Sequence, residues 1–137
     1  MPKISLSKNA LLILEQRYLK KNKKGKVIEK PEDLFRRVAK NIAQADAKYK
    51  SSKKDVKKTE EKFYNLMASL DFLPNSPTLL NAGRQLQQLA ACFVLPIEDD
   101  IDSIFKTLHH TALIHKTGAG TGFNFSKLRP KGDMIES

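Results

Sequence analysis

Apolar residues recur at helical spacing through the first half of this chain and give way to short continuous runs in the second. From Lys8 to Leu19, Leu11, Ile13, Leu14, Tyr18 and Leu19 form an apolar stripe, Ser7 suits the N-cap, and Asn22 and Gly25 mark the end. Pro31 suits the first turn of a second helix, with Glu32 and Asp33 placed favourably against the helix dipole. Along it Leu34, Phe35, Val38, Ile42, Ala45 and Tyr49 recur at the helical period, which leaves Arg36, Arg37 and Lys40 outward. After a polar linker, Ser51 to Lys54, a third helix from about Asp55 to Leu70 is expected to bury Phe63, Leu66, Met67 and Leu70.

Pro74 stops that helix. Ser76-Pro77 reads as an N-cap followed by proline at the first helical position of one short turn, which Gly83 ends. Ala90 to Leu95, short, apolar and followed by Pro96, reads as a buried strand. Asp99, Asp100 and Asp102 lead into a helix with Ile101, Ile104, Phe105, Leu108, Ala112 and His115 on one face, and the helix must stop at Gly118. Phe123-Asn124-Phe125 alternates as a further strand would, and Met134 to Ser137 looks like an interrupted one. The pattern predicts a mainly helical α+β protein, with a helical part at 1–72 and a motif-bearing part at 73–137.

Composition narrows the function classes. A chain of 137 residues suits one modest core better than two. No apolar run approaches the roughly 20 residues that span a bilayer, and the start lacks a secretory cleavage site, so no membrane and a cytoplasmic location are expected. The net charge of +10 would suggest nucleic acid, but its distribution argues otherwise. Residues 1–62 hold 19 Lys+Arg against 8 Asp+Glu, while 63–137 hold 6 against 7. Lysine runs without interleaved aromatics are solvated helix faces, and nucleic acid is not expected as a partner.

The candidate chemistry lies in the second half. The single cysteine, Cys92, has no internal disulfide partner, so its thiol is buried and inert, reactive, or paired with another chain. By the residues alone the inert reading leads, since a cysteine in a buried strand acts as a small apolar residue. TGAGTGF lacks the Gly-Lys-Ser/Thr of a P-loop and follows a helix; it is either a simple chain reversal or a place where Gly118, Gly120 and Gly122 admit a sugar or phosphate close to the backbone. The acidic run Glu98 to Asp102 lacks calcium-loop spacing, and His109, His110 and His115 lack zinc-ligand companions, so no metal site is expected.

Taken together the motifs are more specific than any one alone. Ser76-Pro77-Thr78-Leu79-Leu80-Asn81-Ala82-Gly83, Leu89-Ala90-Ala91-Cys92-Phe93-Val94-Leu95-Pro96, Asp102-Ser103-Ile104 and Gly120-Thr121-Gly122-Phe123-Asn124-Phe125-Ser126-Lys127-Leu128-Arg129-Pro130 follow one another in an order and at spacings that resemble the large catalytic subunit of ribonucleotide reductase. The adenosylcobalamin-dependent (class II) branch is the most similar, and Asn9 to Leu19 and Phe35 to Ala39 resemble its helical N-terminal region.

The resemblance implies a helical N-terminal domain followed by the first strand or strands and a helix of a ten-stranded α/β barrel that is incomplete in this chain. It implies an oxidoreductase of deoxyribonucleotide synthesis, serving DNA replication, in which a thiyl radical takes the ribose 3′-hydrogen, the 2′-hydroxyl leaves as water, and two cysteines are oxidised to a disulfide. Cys92 matches one of that redox pair. Ser76, Ala91, Cys92 and Gly120 match substrate-contacting positions, with Ala91 where some branches carry serine. Asp99, Asp100, Ile101 and Arg129 match the site of an allosteric deoxynucleoside triphosphate effector, with Lys127 adding charge, and the helix after Asp100 would lie in part at a homodimer interface. Adenosylcobalamin would bind outside this chain, and a thioredoxin-like or glutaredoxin-like protein would re-reduce the disulfide. The radical-carrying cysteine and the second redox cysteine are absent, so the chain alone is expected to be inactive and to need the remaining C-terminal part of the reductase. The alternative is a non-catalytic fragment that binds deoxynucleoside triphosphate or docks on a full-length reductase.

Overall fold

The computed structural model describes residues 4–134; the strand expected at Met134 to Ser137 lies mostly outside them. The chain divides into two compact units, Met1–Leu89 and Ala90–Ser137. The division falls at 89/90, not at the 72/73 expected from Pro74, because Asn75 Nδ2 and Thr78 Oγ1 both donate to the Leu89 carbonyl and hold the intervening loop on the helical unit.

In the first unit, α1 (Lys8–Ile13) opens on Ser7, whose side chain accepts from the Ala10 amide at 3.2 Å. Its continuation, Leu14–Tyr18, widens into a π-type turn closed by Leu19 N donating to Leu14 O. Asn22 Oδ1 then accepts from the amides of Lys24 and Lys26, folding the lysine-rich stretch into a tight hairpin in which Lys21 pairs with Val27. α2 (Pro31–Ala43) starts on Pro31, as the sequence predicts. It ends earlier than predicted. Gln44–Tyr49 tightens into a 3₁₀ turn that Lys50 terminates at φ 65°, and three residues per turn rotate Ala45 and Tyr49 off the stripe, leaving Tyr49 83% exposed.

α3 (Lys53–Ala68) packs along α2 and buries Glu60, Tyr64, Met67 and Ala68, one stripe at the helical period. Leu66 falls off that stripe and Leu70 lies past the helix end at φ 64°, so both are exposed, contrary to expectation. Ser52 caps α3 by accepting from Asp55 N. In α4 (Ser76–Asn81) the cap is Asn75, whose Oδ1 accepts from Thr78 N, and not Ser76. Among the described residues the apolar core cluster lies in this unit, around Leu34, Phe35 and Tyr64.

Two arginines of α2 read as outward are structural. Arg36 lies 3.8 Å from the Tyr64 ring centroid and donates to Glu61 at 2.7 Å. That hydrogen bond is the main reason the Glu61 carboxyl is held below its ordinary pKa. Arg37 is buried against the equally buried Glu29, with Nε to Oε1 at 2.7 Å and Nη2 to Oε2 at 3.2 Å, and it also donates to the carbonyls of Ala82 and Leu79. Glu29 accepts in addition from the Lys20 amide. One guanidinium therefore joins the hairpin, α2 and the end of α4. Gly83 has φ +69°, and a Cβ there would come within 2.9 Å of Arg37 Cγ, so glycine is required twice over.

The second unit is a βαβ arrangement. β1 (Cys92–Leu95) and β2 (Gly120–Phe123) pair in parallel in the register Cys92↔Gly120 through Leu95↔Phe123, joined by α5 (Ile101–Lys116). Three expectations change here. β1 is not buried: Cys92 and Val94 share an exposed face, because a sheet of two strands has a helix to cover only one side. The glycine run is itself a strand, and Asn124 and Phe125 lie beyond it. The covered positions of α5 are Ser103, Thr107, Thr111 and Ile114, while Ile101, Phe105 and Leu108 are 68%, 62% and 61% exposed. Thr107 Oγ1 donates to Pro96 O and Thr111 Oγ1 to Thr107 O, which lets small polar side chains occupy the covered face.

Candidate functional site

Cys92 opens β1, and its thiol is free and exposed. The Gly120 amide donates to Ala91 O at 2.8 Å, which sets Ala91, Cys92 and Gly120 side by side across the two strands. The glycines of TGAGTGF now separate by cause. Gly118 has φ +82° just after α5 and is required by the helix stop, its amide donating to His115 O. Gly120 is not at positive φ, and a Cβ there would meet only Ala91 O, at 3.8 Å; at Gly122 it would meet nothing within 4 Å. Among the described residues nothing demands glycine at 120, so what its missing side chain leaves is open space beside Cys92. His115 Nε2 lies 3.0 Å from Thr121 Oγ1, and the pair ties the end of α5 to β2.

The residues after β1 form a separate cluster. Asp100 is the N-cap of α5, its carboxylate accepting from Ser103 N at 2.7 Å, and Ser103 Oγ in turn accepts from Glu98 N. Arg129 folds back on this loop, with Nε donating to Asp99 Oδ2 at 2.6 Å and Nη2 to Asp99 O at 3.2 Å. Lys127 pairs with Glu98. Asp99, Asp100, Ile101, Ile104 and Arg129 line a cavity of about 220 Å³. The structure thus brings together all four residues that the resemblance assigns to one ligand, although 30 residues separate Asp99 from Arg129. The Asp99–Arg129 pair is partly exposed and contributes little to stability. The pair leaves a carboxylate and a guanidinium side by side at the rim of the cavity.

Ser76 belongs to the first unit, where its Oγ lies 2.9 Å from the Tyr18 hydroxyl. Arg84 Nη2 donates to the Tyr18 carbonyl and lies 3.7 Å from Glu29. Burial, followed by the positive charge of Arg37, lowers the Arg84 pKa, and Glu29 opposes them. Sequence reasoning missed Tyr18, Arg84 and the Glu29–Arg37 pair; no local spacing signals the Tyr18–Ser76 and Tyr18–Arg84 bonds across 58 and 66 residues, and the Glu29–Arg37 pair, eight residues apart, joins the hairpin to α2 outside the helical period.

The chain is a helical unit followed by a parallel βαβ unit with a thiol at the head of its first strand. Residues 4–87 match the family model of the ribonucleotide reductase all-alpha domain, and residues 90–137 match that of its barrel domain. The chain belongs to the ribonucleotide reductase large-subunit family. It is 41% identical to a vitamin B12-dependent ribonucleoside-diphosphate reductase of Thermoplasma acidophilum, over 98% of this chain and 24% of the relative. With the protein of that name from Mycobacterium tuberculosis it shares 43% identity over 98% of this chain and 19% of the relative. The ribonucleoside-diphosphate reductase subunit alpha of Bacillus subtilis is 35% identical over 86% of this chain and 16% of its own length. The chain therefore spans no more than about a quarter of the length of these relatives. Among the described residues no helix is long and apolar enough to cross a membrane.

Proposed function

We propose that this chain is the N-terminal part of a ribonucleoside-diphosphate reductase, with Cys92 as one of two thiols that reduce the substrate. The observation that carries the reading is the exposed thiol of Cys92 aligned with Gly120, whose missing side chain leaves the space beside it open. In the reaction, two cysteine thiols become a disulfide, the ribose 2′-hydroxyl departs as water, and the hydrogen taken from the 3′ carbon is returned. Cys92 supplies one thiol; the second thiol and the radical-bearing cysteine come from sequence outside this chain. A thiol fixed on a strand is held at one distance from the sugar, and such placement is worth more than intrinsic reactivity. Ser76 in the helical unit and, separately, Ala91 and Gly120 in the βαβ unit are proposed as substrate contacts from the family's motifs, and a thioredoxin-like or glutaredoxin-like dithiol would reset the disulfide.

The diphosphate substrate and vitamin B12 are carried over from the names of the relatives. Adenosylcobalamin would supply radical chemistry when bound, and its binding is proposed to lie in sequence outside this chain. This chain, with the remaining barrel sequence supplied in cis or in trans, is expected to convert ribonucleoside diphosphate to its deoxy form only when adenosylcobalamin and a dithiol are both present. Turnover without the cobalamin would refute the class, and effector binding with no turnover under any condition would favour the non-catalytic fragment.

The second cluster is proposed as the effector site, the Asp99 carboxylate accepting from the deoxyribose 3′-hydroxyl and Arg129 meeting phosphate. The exposed apolar face of α5 suits burial against a second copy, which would complete the site. In the same assembly, Arg129→Ala should weaken dTTP binding about tenfold or more, the size of a lost charge-assisted hydrogen bond. Asp99→Ala should weaken it less, since the variant also releases Arg129. Calorimetric titration checks both, and unchanged affinity in Arg129→Ala would remove the arginine from the site.

A further inference from the structure

We infer that Tyr18 is a positioning residue for the substrate hydroxyl contact of Ser76, an inference that rests on the substrate role proposed for Ser76. Tyr18 Oη and Ser76 Oγ lie 2.9 Å apart and are 58 residues apart in sequence. Either oxygen can donate. When the tyrosine donates, the serine hydroxyl hydrogen is left to point at an acceptor, which is what an anionic nucleotide oxygen requires; when a ligand oxygen is present, that arrangement is the one selected. Without the tyrosine, an exposed serine hydroxyl rotates freely and is satisfied by water.

Three further observations support this role for Tyr18. The chain departs from α-helical winding at Leu14–Tyr18, so Tyr18 closes a π-type turn, a local irregularity that recurs at functional positions and re-aims the side chain that ends it. Its carbonyl is then gripped by Arg84, itself set beside the buried Glu29. Its ring helps to line an apolar cavity of about 260 Å³ with Leu14, Phe35 and Leu79, which leaves the hydroxyl as the one polar atom of the side chain and directs it to Ser76. Ser76 itself is exposed and is not the cap of α4, so its hydroxyl has no duty to the helix.

The test is steady-state kinetics on the reductase assembled from this chain and the remaining barrel sequence, with Tyr18→Phe, Ser76→Ala and the double variant. Phenylalanine keeps the ring in its cavity and removes only the hydroxyl. Tyr18→Phe should raise KM for ribonucleoside diphosphate about fivefold, the factor carried by one hydrogen bond, and leave kcat within about twofold. Ser76→Ala should raise KM at least as much, and the double variant should be no worse than Ser76→Ala, because the tyrosine acts through the serine. An unchanged KM in Tyr18→Phe beside a raised one in Ser76→Ala overturns this inference and leaves the substrate role of Ser76 standing. Additive effects in the double variant overturn it too, by showing that Tyr18 acts elsewhere. No effect of Ser76→Ala removes the substrate role and the inference together.

Discussion

Cys92→Ser should abolish deoxynucleotide formation by the assembled reductase while leaving this chain folded. Serine is nearly isosteric with cysteine, and the position is exposed, free of disulfide and at the start of a short strand, so the substitution removes no packed contact. It does remove the only thiol of this chain and, on the role proposed for Cys92, one half of the disulfide that would supply two electrons per turnover. An alcohol cannot replace it at any geometry. Because redox partners act as a unit, the expected loss is at least about a thousandfold in kcat, with KM little changed. The assay is product formation under excess dithiol, with the melting temperature of the variant measured alongside. Wild-type turnover by a folded Cys92→Ser enzyme would eliminate the redox role and return the residue to an incidental exposed thiol.

Arg37→Ala is expected to cause the largest loss of stability of any single change in the helical unit. The substitution strands the Glu29 carboxylate at 5% side-chain exposure and leaves the Ala82 and Leu79 carbonyls without their donor. Arg84, 3.7 Å from Glu29, is a weak replacement. Breaking a buried pair by removing one partner costs about 3–5 kcal/mol, a large fraction of the roughly 5–15 kcal/mol that holds a domain together. For a unit of this size the melting temperature should fall by more than about 10 °C. Arg37→Lys should recover only part of the loss, because one ammonium cannot reproduce the two-pronged contact with Glu29 together with two carbonyl bonds. Urea denaturation of the three proteins measures the differences. A loss under about 1 kcal/mol for Arg37→Ala would mean that water replaces the guanidinium and that the pair holds nothing together.

These two residues also show how sequence and structure divide the information. Cys92 could be singled out from sequence because it stands inside one of several motifs in a fixed order, and the family those motifs resemble is the one the chain belongs to. Arg37 could not. The helical period that correctly assigned Leu34, Phe35 and Val38 to the core put Arg37 outside, since periodicity records which face is apolar and not whether an acid elsewhere will meet a base on its edge. The helical stripe of α5 misled in the opposite direction: its apolar positions are exposed, and threonines take the covered side.

By itself, then, the sequence determined the mainly helical first part, the helix starts at Ser7 and Pro31, and the order of motifs carrying Cys92, Asp99, Asp100 and Arg129, because stripes, caps and motifs are written within a few residues of one another. The tertiary structure alone decided that the glycine run is a strand beside Cys92, that Arg129 closes on Asp99, that Glu29 and Arg37 bind each other inside the helical unit, and that Tyr18 reaches Ser76. Apart from Glu29 and Arg37, which are eight residues apart but on different elements, each of these is a bond or a register between segments far apart in the chain, and all of them depend on where whole elements pack, which no local spacing encodes.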